Sequence, residues 1–264
     1  FVPEWEMMWE TVLKYQPHAF LMLGDNVYID QPEHLLTQHY CYYRRQSRPE
    51  WKRFTGQTAI FSIWDDHDFG TNDCVPGPDI DQPAWKRDVW KVFKQNWVNP
   101  GYGMGAQQPG CWYDFHIGDV HFMMLDGRYY RDLRGGSMLG AAQKAWLLKT
   151  LTDSTATFKI IASPVPFTEG IKRGSRDPWD GFPARMDRRA KREHPQHVGN
   201  RLERTFLRRI RFQRGPGKPL EGAGPLSIPS PTSGVGDSPP KSSRIPLFQG
   251  FFPVTLVRNP TGTV

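Results

Sequence analysis

The run Trp64-Asp65-Asp66-His67-Asp68, followed by Asn72 and Asp73, sets four ionisable groups in consecutive positions. Such groups repel one another unless a cation sits among them. Carboxylate oxygens with an imidazole nitrogen are also a donor set that suits a metal ion. A solvated acidic turn is the ordinary alternative, but here a run of apolar residues ending in Trp64 feeds straight into the cluster. A second candidate is Leu23-Gly24-Asp25-Asn26-Val27-Tyr28-Ile29-Asp30. Glycine lets the chain turn sharply after a buried strand, which leaves Asp25 where one carboxylate can bridge two ions. Together the two segments give a plausible dinuclear hydrolytic site, since paired metals stabilise the attacking and leaving oxygens of phosphoryl transfer. The third segment is Leu125-Asp126-Gly127-Arg128-Tyr129-Tyr130-Arg131-Asp132. There Arg128 or Arg131 either forks onto phosphate oxygens or forms a structural Arg–Asp pair that holds a loop.

The elements that must position these residues read as an alternating α/β domain over residues 1–183. Pro3 opens a helical pattern with Trp5, Met8, Trp9, Val12 and Leu13 on one face, and Pro17 stops it. The apolar runs Ala19 to Leu23, Ala59 to Trp64, Asp119 to Leu125 and Phe158 to Ala162 predict strands. Helices are expected after Pro32, with Leu35, Leu36, His39, Tyr40 and Tyr43 inward, over Pro83 to Val98, and after Gly140, burying Trp146, Leu147 and Leu151. Sites in α/β folds form outside the carboxyl ends of strands, where all three segments fall. His18, His34, His39 and His116 stand singly, and His121 reads as a core residue of its strand.

The 264 residues are enough for one large domain. Three cysteines, at 41, 74 and 111, form neither a disulfide framework nor a zinc pattern. No Walker A loop, G-x-G-x-x-G or G-x-S-x-G is present, and no 18-residue apolar stretch that could span a membrane. The net charge of +7 is uneven: residues 184–264 hold 15 Lys and Arg against five Asp and Glu. All ten Trp and all nine Tyr lie before residue 184. The tail therefore reads as a basic, Pro-, Gly- and Ser-rich segment, expected to be disordered or to result from a change of reading frame. It could bind nucleic acid or an anionic surface through Arg201, Arg204, Arg208, Arg209, Arg211 and Arg214.

These residues resemble the PhoD-like alkaline phosphatases of the calcineurin-like metallophosphatase superfamily. The motifs that carry the resemblance are Phe20 to Asp30, Trp64 to Asp68 with Asn72, Leu125 to Arg128 with Arg131, the Gln143-x-x-Trp146-Leu147 helix and Phe158 to Pro164. The resemblance covers about residues 3–183. It implies a β-sandwich flanked by helices and hydrolysis of small phosphate mono- or diesters at a dinuclear site, with iron plus calcium or another divalent pair. By position, Asp25 would be the bridging carboxylate, with Tyr28 and Asp66 as further metal ligands. His67 would serve the leaving group, Asp68 would orient His67, Arg128 would steady the substrate loop, and Asn72 and Arg131 would face substrate. It also implies export, although no signal segment is visible. Two ligand motifs of the superfamily are not visible, one before Asp25 and one after residue 183. The domain is therefore expected to be incomplete at both ends, with weak metal binding and poor turnover. The competing expectation is an inactive scaffold that binds anions through the basic tail.

Overall fold

A computed structural model describes residues 6–168, 170–179, 181 and 254–258. The chain forms α1 (Met8–Leu13), β1 (Ala19–Leu23), α2 (Leu35–Gln46), α3 (Pro49–Thr55), β2 (Ala59–Ile63) and α4 (Asp66–Phe69). These are followed by α5 (Lys86–Asn96), β3 (Tyr113–Ile117), β4 (Val120–Met124), α6 (Gly140–Asp153), β5 (Phe158–Ala162) and β6 (Val254–Arg258). It is a mixed α/β arrangement. Among the described residues no helix is long and apolar enough to cross a membrane.

The strands make two sheets. β1 and β2 pair in parallel, with Ala19 opposite Ala59 and Leu23 opposite Ile63. Their carboxyl ends therefore finish side by side, and the two acidic segments leave the sheet together. The second sheet has the order β3-β4-β5-β6. β4 and β5 are parallel, while β3 and β6 run antiparallel to their neighbours. Aromatic packing joins the sheets: Phe61 of β2 stacks on Phe115 of β3 with centroids 3.7 Å apart. Trp64, just past β2, donates its indole N–H to Asp126, just past β4, at 2.9 Å. Trp9, Trp51, Phe54, Trp64, Phe93 and Trp97 belong to one core, and Met123, Leu125, Leu139, Leu147 and Ile161 to a second beneath α6.

All four expected strands are present, and α5 buries Val89, Val92 and Phe93 as its spacing predicts, with Trp97 buried just past its end. On α2 the expected face is wrong. Leu35, Leu36, His39, Tyr40 and Tyr43 turn to solvent, with Leu36 87% exposed, while Gln38, Tyr42 and Arg45 are buried. The latter three also lie at i, i+4 and i+7. They win because Arg45 reaches a cage of Trp9, Trp51 and Trp97, its guanidinium 4.2 Å from one Trp51 ring, and pairs with Glu6 at 3.3 Å. A planar cation over indole faces is stabilised while its stem packs like an apolar side chain. Three elements were not anticipated: α3, β3 and α4. In the tail, five residues form β6 against β5 where no regular structure is expected. The Arg201–Arg214 segment and its anion-binding role lie outside the described residues.

Candidate metal centre

The sharp exit from β1 requires Gly24, which sits at φ 108°, a conformation other residues avoid. A Cβ there would also lie 2.4 Å from Cβ of Asp65, so the two strand ends meet at a spot with no room for a side chain. Beyond it, Asp25, Asp30 and Asp73 each adopt left-handed backbone, with φ of 49°, 53° and 52°. Short polar side chains tolerate this region better than most.

The acidic run is not a loop but one helical turn, α4. Asp65 is its N-cap and Asp68 its third residue, and the two form a capping box. The buried carboxylate of Asp68 accepts from N–H of Asp65 at 2.9 Å and of Val27 at 2.8 Å. It thereby ties the β1 exit to α4, and burial pushes its carboxyl well above the usual range despite both bonds. The expected role of Asp68 is thus corrected. His67 takes its Nδ1 partner from Asp30 instead, at 2.7 Å. Burial works against charge on His67, but the Asp30 bond and the carboxylates of Asp66 and Asp25 outweigh it and raise its pKa.

Around His67 the structure brings together Asp25 and Asp66, with donor atoms of all three residues within 4.8 Å of one another. Tyr28 stacks on the imidazole, with centroids 4.1 Å apart, and donates its hydroxyl to Asp25 Oδ2 at 2.9 Å. Burial, then Asp25, pushes the Tyr28 pKa up to about 12. Asp25 Oδ1 is buried, and no donor among the described residues reaches it. Burial raises the Asp25 carboxyl, Tyr28 opposes this, and the negative charge of Asp66 adds to it. Two crowded carboxylates, an imidazole and an undonated buried oxygen are what a cation would satisfy. The residues present fit a metal ion.

Arg128 and Arg131 resolve in favour of the structural alternative. Both are fully buried, which corrects their expected contact with substrate. Arg128 pairs with Asp65 at 2.5 Å and with Asp177 at 2.8 Å, and lies 3.7 Å from Asp66. Burial opposes its charge, yet Asp65 and Asp177 hold it protonated far above the usual range. Arg131 binds the carboxylate of Asp177 at 2.6 Å and also its carbonyl. Burial pushes the Asp65 carboxyl up to about 7, against the pull of Arg128. Asn72 is exposed in the turn after α4, and its neighbour Asp73 is the residue that turns inward, its N–H reaching Asp66 Oδ2 at 2.6 Å. Asp66, Asp73 and Asp177 make a second acidic group of the same spacing. The sequence motifs place Asp30, Asp65 and Asp73 in or beside the acidic segments but assign no individual role to them or to Asp177. Asp30 and Asp73 had a legible signal, since each sits beside a motif in a turn that only Gly, Asn or Asp readily makes.

The family model for PhoD-like phosphatase matches residues 3–202. The chain belongs to the PhoD-like phosphatase family. The match runs past the change of composition at residue 183. A solved structure of PhoD is 22% identical over 65% of this chain and 41% of its own length, with a TM-score of 0.45. The chain thus spans less than half of that PhoD structure. No curated protein matches it.

Proposed function

We propose that this chain hydrolyses phosphate monoesters or diesters with a metal ion held by Asp25 and Asp66, and with His67 as general acid. The observation that carries the reading is the meeting of these three side chains at the paired ends of β1 and β2, around an Asp25 oxygen that no donor among the described residues reaches. When bound, such an ion supplies Lewis acidity and lowers the pKa of water. The rest is done by the chain. Asp30 fixes the imidazole through Nδ1, which leaves Nε2 to give a proton to the leaving oxygen. The Asp30 bond and the carboxylates of Asp66 and Asp25, outweighing burial, raise the His67 pKa and so favour the protonated imidazole. Tyr28 closes one side of the pair, and it would bind a strongly charged ion such as ferric iron only on giving up the hydroxyl proton it donates to Asp25. Arg128 does not touch substrate. It neutralises Asp65 and Asp177 and so lets the acidic wall of the site exist at all.

We further propose that the two sheets are the halves of a metallophosphatase sandwich, a reading supported by the Phe61–Phe115 stack and the Trp64–Asp126 bond between them. An ion pair such as iron with calcium remains part of the proposal for the family's complete site. Turnover by this chain alone is expected to be slow, because few donors surround Asp25. The test uses p-nitrophenyl phosphate and bis(p-nitrophenyl) phosphate after chelation and addition of Fe3+, Mn2+ or Ca2+. Metal-dependent release of p-nitrophenol, lost in both Asp25→Asn and His67→Ala, is expected. Release that ignores metal, or that survives in Asp25→Asn, would overturn the reading.

A further inference from the structure

Two acidic groups share Asp66, yet only one of them is left for a metal ion. Asp66, Asp73 and Asp177 bring their oxygens within 4.8 Å of one another, a spacing that suits a cation. Five of their six oxygens are already engaged. Asp177 Oδ1 meets both Arg128 at 2.8 Å and Arg131 at 2.6 Å. Asp66 Oδ2 accepts the N–H of Asp73 and lies 3.7 Å from Arg128. Asp66 Oδ1 accepts the N–H of His67 at 3.1 Å, and Asp73 Oδ1 and Asp177 Oδ2 both face the ammonium of Lys172, at 2.9 Å and 3.6 Å. We infer that Lys172 is a built-in cation that occupies the place of a metal ion among Asp66, Asp73 and Asp177.

The loop that delivers Lys172 is made for a tight return. Gly170 and Gly174 stand on either side of Ile171, Lys172 and Arg173, both at φ 80°, and N–H of Ser175 closes back onto the Lys172 carbonyl at 3.1 Å. The hydrogen bond to Asp73, outweighing burial, holds the ammonium protonated above its usual range. A lysine here carries one positive charge to two carboxylates, which lessens their repulsion as a divalent ion would, but without coordination. The Asp25 oxygen has no such tether: no lysine or arginine is paired with Asp25 among the described residues. The two groups are therefore unlike, one closed by side chains and one open. This inference rests on the proposed metal site only for the contrast, because the Lys172 contacts stand by themselves.

The experiment is calorimetric titration of the full 264-residue chain with Mn2+, taken to millimolar concentration. The readout is the change in ions bound relative to the parent, not the absolute number. Lys172→Met is expected to bind one more ion than the parent. Lys172→Arg is expected to bind no more than the parent, and adding Asp73→Asn to Lys172→Met is expected to abolish the gain. Equal numbers in the parent and in Lys172→Met would overturn the inference. Lys172 is half exposed, so the variant should fold; Lys172→Gln replaces it if circular dichroism shows otherwise. Asp25→Asn in the same titration separates the two ideas. It should remove one ion from every variant, and if it removes none the proposed catalytic site fails while the Lys172 result stands or falls alone.

Discussion

Asp25 holds a buried oxygen that the described residues leave without a donor, and the cost of that arrangement is what makes it informative. A buried carboxylate kept for its own sake would destabilise the fold. Replacement by Asn should therefore leave the melting temperature unchanged or higher, while metal affinity falls by about tenfold or more; a melting curve and a metal titration check both halves. Asp30 acts through His67 and is a positioning residue. Asp30→Asn should lower kcat by about tenfold to a hundredfold with little change in KM, and should move the alkaline limb of the kcat profile, where His67 loses its proton, to lower pH, which a purely structural role would not do. Arg128→Met behaves differently from either. It strands Asp65 without its arginine, leaving Asp177 only Arg131 and Lys172, and breaking a buried pair costs about 3–5 kcal/mol. Loss of folding, seen by denaturant titration, is the expected result.

Among the elements, the exits of β1 and β2 matter most. Gly24→Ala meets both a positive φ and a 2.4 Å contact with Asp65. We expect a loss of more than about 2 kcal/mol by chemical denaturation, with metal binding lost in step because the two strand ends are forced apart. Much of this level is legible in the sequence. Strands β1, β2, β4 and β5 stand out as apolar runs, and the helix of residues 86–96 as an apolar stripe, because burial on one side leaves a periodic trace. The site segments were legible for the same reason, as polar residues placed directly after those runs. What was missed had weaker or competing traces. β3 alternates Tyr113-Asp-Phe115-His-Ile117 and so carries a period of two, but its polar positions disguise it. α3 opens with Pro49 at its first turn, a start signal that a seven-residue helix makes easy to overlook. α4 looked like an acidic loop because the Asp65–Asp68 capping box counts as charge, not as helix. α2 was turned the wrong way because hydrophobicity ranks Leu36 and Tyr43 above Arg45, whereas three tryptophans reverse that order. The partners of His67 and Arg128 depend on contacts across dozens of residues, which no local pattern reports.

For the whole molecule, burial of Lys86 couples stability to pH. It is fully buried against Tyr129 and Tyr130 and donates to the carbonyls of Gly77 and Asp79. Burial pushes its pKa down to about 8. The unfolded chain therefore holds this proton at pH values where the folded chain has released it. Stability from this group is greatest above the unfolded value of 10.5 and is lost as pH falls toward 8. Between those limits the parent should gain stability relative to Lys86→Met as pH rises, by on the order of 2 kcal/mol. Denaturant titrations at pH 8 and pH 10 check the sign.

The strand β6 has a consequence for solubility. It covers the outer side of β5 with backbone hydrogen bonds from Phe158 to Ala162, although the two strands are far apart in the chain. Remove residues 254–258 and that side of β5 becomes an open edge, a row of unpaired N–H and C=O groups next to an apolar face. Open edges template pairing with another molecule. A truncated chain that keeps the whole acidic site should then associate in proportion to its concentration, and light scattering across a dilution series would reveal it. The last strand thus guards against self-recognition in a molecule whose chemistry lies at the ends of other strands.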